Sequence, residues 1–395
     1  MASTDDHGAN DTDQLSAEAD WTDFAHTGPG TLAGRYMRLF WQPVYVGADL
    51  LPGRAVPIRI MSEDFTLFRG ESALGTPHLL AFRCAHRGTQ LSTGWIEGDD
   101  IRCFYHGWKY DSSGQCVEQP AEPEPFCQKI GIPAYPTQEY LGLIFAYLGE
   151  GEPPPLPRRP AFEDPHGVLQ AGRADWPCNF FHRNENTPDL THICFVHRDV
   201  STEDTEIPRV ESADETEFGL TVSVRSKDST GLTQRAKFLM PSGNMFKLPK
   251  RSEDEIEGRD YTFFRVPIDD EHHTAFSVSV MHPTPEGARK LAARDPEQPG
   301  TRLSVPELGD AILAGTLHIR DVIHGPYDPY TVQEVQDYVA MVGQGTMPVR
   351  ADDHLGRADL GISLLRKVWS RELRALAEGR PLTQWTPSAG LAAHF

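Results

Sequence analysis

Short alternations of apolar and polar residues dominate the first 150 positions, and this period-two pattern is typical of half-buried strands. One segment differs, because Leu32, Tyr36, Leu39 and Phe40 have helical spacing and therefore predict a short helix. The remaining runs are punctuated by proline and glycine, which favour turns between strands. They predict strands or hairpins over residues 44–69, 79–82, 101–103 and 140–148.

The second part of the chain combines longer strand-like runs with two amphipathic stretches. Alternating, β-branched and aromatic runs indicate an antiparallel sheet, with strands over residues 220–224, 236–240, 261–266 and 275–280. Apolar residues at helical spacing predict helices over residues 331–343 and 360–378. The polar stretch between sheet and helices, residues 284–302, predicts a surface loop.

Composition divides the chain into four parts. Residues 1–25 are acidic and poor in apolar side chains, so they predict a disordered tail. Residues 26–150 predict a β domain with an N-terminal helix, residues 151–160 a proline-rich linker, and residues 161–395 a domain of sheet and helices. The fold class predicted from these patterns is α+β.

Four residues in two short clips are the strongest chemical signal. Cys84 and His86 form Cys-x-His, and after sixteen residues Cys103 and His106 form Cys-x-x-His. Two thiolates for one iron and two imidazoles for the other are the ligands of a Rieske [2Fe–2S] cluster. A structural zinc site is the alternative, since Cys2His2 sets also bind zinc. Zinc fingers usually pair Cys with Cys and His with His, so the mixed clips favour the cluster.

A second motif contains Asn186, Asp189, His192 and His197. The two histidines are five positions apart, which places them about 140° apart around an ideal helix of ~100° per residue. Both can reach one ion only if the helix is irregular or the ion lies at its flank. Asp189 lies three positions before His192, on the same helical face, and could orient that imidazole. Two imidazoles and a carboxylate are the ligands of non-haem Fe(II).

The charge of the chain excludes some classes of partner. With 37 basic and 57 acidic residues the net charge is −20, which disfavours nucleic acid and anionic membranes as partners. No stretch reaches the eighteen apolar residues of a membrane span, and no signal-peptide pattern is present. We therefore expect a cytoplasmic protein.

The two motifs, in this order and about a hundred residues apart, resemble the oxygenase component (alpha subunit) of Rieske non-haem iron aromatic ring-hydroxylating oxygenases. Their form is similar to the group of phthalate dioxygenase and the vanillate and dehydrodivanillate O-demethylases. Further similar stretches are residues 26–31, 40–43 and 336–359.

This resemblance implies an N-terminal all-β Rieske domain followed by a helix-grip-like catalytic domain, with an antiparallel sheet and flanking helices. It implies a Rieske [2Fe–2S] cluster on the four clip residues and a mononuclear non-haem Fe(II). The ligands of that iron would be His192, His197 and a distant carboxylate, for which Asp337 is our choice. Its rivals are the nearby acids Asp352, Asp353 and Asp359.

The resemblance also implies a homotrimer in which clusters and catalytic irons pair across subunits. A cluster histidine, His106 or His86, would reach the neighbouring subunit's iron site through Asp189. Asp189 and Asn186 are therefore the residues predicted to act beside the iron. Electrons would come from a separate flavin and ferredoxin-type reductase that uses NAD(P)H.

The implied reaction is oxidation of an aromatic, carboxylated and methoxylated substrate by O2, with O-demethylation through methyl hydroxylation favoured. Ring hydroxylation or cis-dihydroxylation by the same site is the alternative. Two other classes stay open, a Rieske electron-transfer protein without its own turnover and a zinc-stabilised binding module. Basic residues that could bind a substrate carboxylate, although each alone is typical of a surface charge, are Arg225, Arg235, Lys237, Lys247, Lys250, Arg251 and Arg265.

Overall fold

A computed structural model describes most of the chain. The described residues are 20–72, 75–200, 207, 209–225, 233–249, 256–284, 286–287, 289, 303–347 and 352–386. Most of the predicted acidic tail and of the predicted loop over residues 284–302 lies outside these ranges. Residues 20–25 of the predicted tail are described, and Phe24 is buried, with its ring 4.9 Å from that of Phe181. These residues therefore pack with the folded part of the chain.

The first part is a short helix followed by three small antiparallel sheets. The helix α1 (Leu32–Arg38) begins at Thr31, whose hydroxyl accepts the Gly34 N–H at 3.1 Å. The sheets have the orders β1-β11-β10, β2-β3-β4-β9 and β5-β6-β7-β8. The strands are β1 (Gln42–Val46), β2 (Ala55–Ile60), β3 (Glu63–Arg69), β4 (Pro77–Ala81), β5 (Trp95–Glu97), β6 (Asp100–Arg102), β7 (Lys109–Tyr110), β8 (Cys116–Glu118), β9 (Ala134–Tyr135), β10 (Thr137–Tyr140) and β11 (Leu143–Ala146).

The second part is a seven-stranded antiparallel sheet with helices. The strand order is β12-β18-β17-β16-β15-β14-β13. These strands are β12 (Val168–Trp176), β13 (Arg209–Thr216), β14 (Gly219–Arg225), β15 (Thr233–Leu239), β16 (Gly243–Pro249), β17 (Ile256–Pro267) and β18 (His273–Pro283). The helices are α2 (Phe180–Asn186), α3 (Thr191–Val196), α4 (Val305–Leu313), α5 (Ile319–Ile323), α6 (Pro329–Val342) and α7 (Leu360–Ala377). The predicted α+β fold class and both predicted C-terminal helices are confirmed.

Helix α7 joins the two parts of the molecule. It contacts β13 and β14 on one side and α1 on the other. Trp369 in α7 is fully buried, with ring centroids 5.2 Å from Tyr36 and 5.3 Å from Phe181. One apolar core therefore runs through both parts, whereas the two clips have a small core of their own.

The proline-rich segment over residues 151–160 packs against the first part. Trp41 donates its indole N–H to the carbonyl of Pro154 at 2.7 Å, and the side chain of Leu156 is buried. The backbone N–H of Arg159 donates to the hydroxyl of Tyr140 at 2.6 Å. This segment is therefore held along its length.

None of the helices within the described residues combines the length and the apolar content that crossing a bilayer requires.

Candidate metal centres

Both clips fold into the same backbone turn. The first loop begins at Cys84 after β4, and the backbone carbonyl of Cys84 accepts the Gly88 N–H at 2.9 Å. The second loop begins at Cys103 after β6, and the backbone carbonyl of Cys103 accepts the Gly107 N–H at 3.1 Å. Each glycine has a φ of +74°, a conformation that a Cβ atom disfavours. The glycine after each clip thus lets the chain turn back and brings the two clips together.

The thiols of the clips face inwards and the imidazoles face the surface. Cys84 and Cys103 are buried, and the Tyr110 hydroxyl lies 3.2 Å from the sulfur of Cys84. His86 and His106 are half-buried, with ring centroids 4.5 Å apart. Nδ1 of His86 is buried and has no hydrogen-bond partner among the described residues. This donor set, with the sulfurs on one side and the imidazoles on the other, fits a Rieske [2Fe–2S] cluster.

Asp189 caps the helix that carries His192. Its Oδ1 accepts the backbone N–H groups of Thr191 at 2.9 Å and of His192 at 3.2 Å. Nδ1 of His192 lies 2.6 Å from the backbone carbonyl of Asp189, but 3.9 Å from its carboxylate. Orientation of this imidazole therefore comes from the carbonyl of Asp189, whereas the sequence suggested its carboxylate. With Nδ1 donating, Nε2 of His192 is left as the metal-binding nitrogen.

His197 comes to the same place because α3 ends before it. It is the C-terminal cap of α3, with φ −100° and ψ 12°, so its backbone is not helical. The ring centroids of His192 and His197 are 5.4 Å apart. Nδ1 of His197 donates to Oε1 of Gln336 at 3.0 Å, which leaves its Nε2 free to bind a metal. This is the irregularity that the five-residue spacing required.

Asp337 in α6 completes a group of three. Its Oδ1 lies 3.2 Å from Nε2 of His197, and the three ligand atoms of His192, His197 and Asp337 lie within 4.8 Å of one another. Burial alone would raise the pKa of Asp337, but the contact with His197 and the charge of Arg183 lower it. The carboxylate is therefore ionised.

The rival carboxylates are engaged elsewhere. Asp353 pairs with Arg366 at 2.6 Å, and Asp359 accepts the Gly356 N–H at 2.7 Å. Asp352 is exposed. Within the described part of the chain, Asp337 is the acid that groups with the two histidines.

The three residues fit a divalent metal ion. Two Nε2 lone pairs and a carboxylate oxygen converge, and such atoms repel one another unless a cation or a proton lies between them. Oδ1 of Asp337 is buried without a well-formed hydrogen bond among the described residues. Two neutral imidazoles and one carboxylate are a preferred donor set for Fe(II). The amide nitrogen of Asn186 lies 3.2 Å from Nε2 of His192, at the edge of the group.

The predicted basic residues are dispersed, and one of them is close to the candidate iron site. Arg265 is buried and interacts electrostatically with Asp337. Arg225 and Lys247 are exposed, and Lys237 is buried in the sheet. The side chain of Arg235, together with Lys250 and Arg251, lies outside the described residues. Sequence reasoning assigned no role to Gln336 or Arg183, because a polar residue in a helix usually faces solvent.

Comparison with known proteins identifies the family. Residues 40–136 match the Rieske [2Fe-2S] domain. The 5,5'-dehydrodivanillate O-demethylase oxygenase subunit of Sphingobium sp. (strain NBRC 103272 / SYK-6) is 30% identical, and the match covers 92% of this chain and 82% of that protein. The phenoxybenzoate dioxygenase subunit alpha of Ectopseudomonas oleovorans is also 30% identical, with coverages of 89% and 84%.

A solved structure shows the same fold. Pseudomonas putida CBB5 NdmA superposes with a TM-score of 0.63 at 21% identity, over 87% of this chain and 93% of that one. The chain therefore belongs to the Rieske non-haem iron oxygenases, and within them to the oxygenase components. It is an enzyme whose cofactors are a Rieske [2Fe–2S] cluster and a mononuclear non-haem iron.

Proposed function

We propose that this chain is the terminal oxygenase that oxidises an aromatic substrate with O2 and electrons from a separate flavin and ferredoxin-type reductase. O-demethylation by methyl hydroxylation is the favoured reaction, and the hemiacetal formed collapses to a phenol and formaldehyde. The observation that carries the proposal is the convergence of His192, His197 and Asp337 on the chain that also carries both Cys/His clips. An electron-transfer protein without turnover would have no use for this second site.

The ligand assignment is part of the proposal. Cys84 and Cys103 would bind one iron of the cluster, and His86 and His106 the other. His192, His197 and Asp337 would bind the mononuclear iron. The cluster supplies electrons one at a time, and the mononuclear iron supplies the chemistry of O2.

The protein's own contribution is to fix the ligands. The carbonyl of Asp189 and the side chain of Gln336 each accept the Nδ1–H of one histidine, which sets the tautomer and the ring orientation. Nε2 of each histidine is then the ring nitrogen turned towards the other ligands. The site is thus organised in advance, which lowers the cost of ordering it around a metal.

An aromatic wall lies on the sheet beside α6. Phe246 in β16 stacks on Tyr261 and Phe263 of β17, with ring centroids 5.0 and 5.8 Å away. Tyr261 interacts electrostatically with Tyr330, which lies seven residues before Asp337 in α6. Flat, half-buried rings pack well against another aromatic ring. We propose that the substrate lies along this wall, with its methoxy group directed at the iron site.

We also propose a homotrimer in which each chain's clips meet the next chain's α3. Exposed apolar side chains lie beside the cluster histidines, at Phe104 and Tyr105, and on α3, at Ile193 and Phe195. Two different apolar patches on one chain suit a head-to-tail contact that closes into a ring. Asp189 precedes the second patch, where its carboxylate could accept a hydrogen bond from the ring N–H of His106 or His86 of the neighbouring chain. Sedimentation of the purified holoenzyme should give three times the chain mass, and a monomer would contradict the trimer.

The names of the two relatives support both kinds of reaction, since one is an O-demethylase acting on dehydrodivanillate and the other a dioxygenase acting on phenoxybenzoate. Ring hydroxylation or cis-dihydroxylation by the same site is therefore the second candidate. We also propose that the protein is cytoplasmic, because the proposed reductase needs a supply of NAD(P)H.

Metal analysis and product analysis test the proposed function. The holoenzyme should contain about three irons and two acid-labile sulfides per chain, with a reduced Rieske signal in its EPR spectrum. Methoxylated aromatic acids should stimulate NADH and O2 consumption with one formaldehyde released per O2. A cis-diol without formaldehyde would favour the second candidate. About two irons per chain and no substrate-dependent O2 consumption would identify an electron carrier instead.

A further inference from the structure

Two arginines lie buried beside the candidate iron site with unpaired N–H groups. The exposed fraction is 6% for Arg183 in α2 and 3% for Arg265 in β17, and these two elements contact each other. Nε and Nη1 of both guanidinium groups have no hydrogen-bond acceptor among the described residues. Leaving one buried polar group unpaired costs about 1–3 kcal/mol, and more when it is charged. Four such atoms in one place indicate that an acceptor binds there.

The surrounding residues do not supply that acceptor. The guanidinium of Arg183 lies over the ring of Trp176, 3.9 Å from its centroid, a cation–π contact that leaves Nε and Nη1 without an acceptor among the described residues. Glu334 and Asp337 in α6 interact electrostatically with both arginines. Among the described residues, however, no carboxylate lies within salt-bridge distance of either arginine. The arginines are thus near acids without being paired to them.

The charges of this region call for an anion. Burial and the charge of Arg183 lower the pKa of Arg265 to about 9, which leaves its guanidinium protonated at neutral pH. Burial raises the pKa of Glu334 and so opposes its ionisation, which leaves Asp337 as the clearer counter-charge to the two arginines, and the iron of the proposed site would add further positive charge. With iron bound, this group of residues therefore has an excess of positive charge in a buried place, where an unpaired charge is expensive.

The aromatic wall ends at these arginines. Residues 261, 263 and 265 alternate along β17, so Tyr261 and Phe263 share a face of the sheet with Arg265. A flat ring lying on the wall would direct a substituent at the guanidinium groups. A guanidinium binds a carboxylate through two parallel N–H bonds, and this geometry is specific to that planar group.

We infer that Arg183 and Arg265 form the carboxylate-binding end of the substrate site, so that the enzyme's substrates are aromatic carboxylates. This inference rests on the proposed function and adds the residues that select the substrate. Arg183 and Arg265 are on different elements, and together they hold the carboxylate at a fixed distance from Asp337. The substituent that is oxidised is then selected by its position on the ring relative to the carboxylate.

Calorimetric titration of the holoenzyme tests the inference. The probes are 3-methoxybenzoate, 4-hydroxy-3-methoxybenzoate and phthalate, each compared with its amide, which has the same shape and no charge. We expect at least one acid to bind about 100-fold more tightly than its amide, because unpaired guanidinium groups penalise the neutral ligand. Equal affinities for acids and amides, or no binding of any of the acids, would overturn the inference.

Variants identify the residues. R183Q and R265Q should each weaken binding of the acid about 10–100-fold and bring its affinity closer to that of the amide, whereas R265K should restore part of the acid's affinity. The matched control is R209Q, because Arg209 has a side chain 74% exposed on the same sheet. An equal loss for acid and amide would show a structural role instead. The visible spectrum and the iron content check folding. The ratio of the wild-type affinities for the acid and its amide tests the inference even if a variant fails to fold.

O2 and formaldehyde measurements separate this inference from the proposed function. If neutral 2-methoxyphenol is demethylated and no acid binds, the inference fails and the oxygenase function stands. If acids bind through the arginines but cause no O2 consumption, the anion site stands and the proposed function fails.

Discussion

Each histidine of the candidate iron site is held by a different kind of group. His192 is fixed by the backbone carbonyl of Asp189, three residues before it, and His197 by the side-chain oxygen of Gln336. A backbone carbonyl cannot be removed by mutation, whereas a side chain can. The orientation of His197 is therefore the one that substitution can test.

Replacing Asp337 should remove the mononuclear iron alone. Asp337→Ala leaves two imidazoles, so we expect about two irons per chain, an intact Rieske spectrum and product formation at least about 1000-fold lower. Iron analysis and product assays measure this. Asp353→Ala is the control, since that carboxylate pairs with Arg366 at the surface. If Asp337→Ala keeps its third iron, a different carboxylate is the ligand.

Exchanging one cluster histidine for a thiolate should lower the reduction potential of the cluster. We choose His106→Cys, because a thiolate stabilises ferric iron more than an imidazole does. Potentiometric titration of the visible absorption bands gives the midpoint. A midpoint and spectrum identical to those of the wild type would mean that His106 does not bind the cluster.

At the scale of elements, short helices position the iron site and their ends matter most. Helix α3 is six residues long, too short to be stable alone, and the carboxylate of Asp189 accepts the N–H groups of its first two residues. Its end at Val196 is what frees His197 from helical geometry. A proposed electron path and a helix cap therefore depend on the same carboxylate.

Two substitutions of Asp189 separate these roles. Asn caps helices as well as Asp, so Asp189→Asn should keep iron, stability and a reducible cluster, yet lose most product formation. Asp189→Ala should in addition lose about 1 kcal/mol of stability. Single-turnover kinetics with substrate and O2 measure cluster oxidation. Wild-type oxidation rates in Asp189→Asn would restrict this residue to capping.

Helix α6 supplies the ligand Asp337 and, one position earlier, Gln336, which accepts a hydrogen bond from the ligand His197. Gln336→Leu should weaken iron binding about 10–100-fold, because Nδ1 of His197 loses its acceptor. Competition with an iron chelator measures the affinity. Gln333→Leu, at a half-buried position one turn earlier, is the control. Equal affinities in both variants would show that Gln336 does not orient His197.

The sequence predicted the strands, the two long helices and the three residues that meet at the candidate iron site. Period-two and helical patterns are local, so they could be read without knowing the fold. The five-residue spacing of the two histidines required an irregular helix or an ion at its flank. Spacing alone could not show that α3 ends before His197. Arg183 could not be predicted, since its burial depends on β17, about eighty residues later in the chain. Contacts between distant segments have no local signature.

At the scale of the whole molecule, α7 and α1 hold the two parts together. Trp369→Ala should destabilise the protein by about 3–5 kcal/mol, because it removes a fully buried ring that contacts both parts. Urea unfolding followed by circular dichroism and by cluster absorbance measures this. Leu313→Ala, at an exposed position of α4, should have little effect. A small change for Trp369→Ala would mean that the two parts are held together elsewhere.

The separate core around the clips has a consequence for building chimeric oxygenases. Its buried residues run from Phe68 to Ile132, whereas β1, β11 and α1 share their core with the catalytic sheet. A graft that exchanges the first 150 residues would cut through that shared core and replace half of it with unmatched side chains. Exchanging only residues 82–133, which carry the clips and lie between β4 and β9, would leave it whole, because none of these residues belongs to the shared core. Cluster potentials could then be transplanted between relatives without redesigning the substrate site.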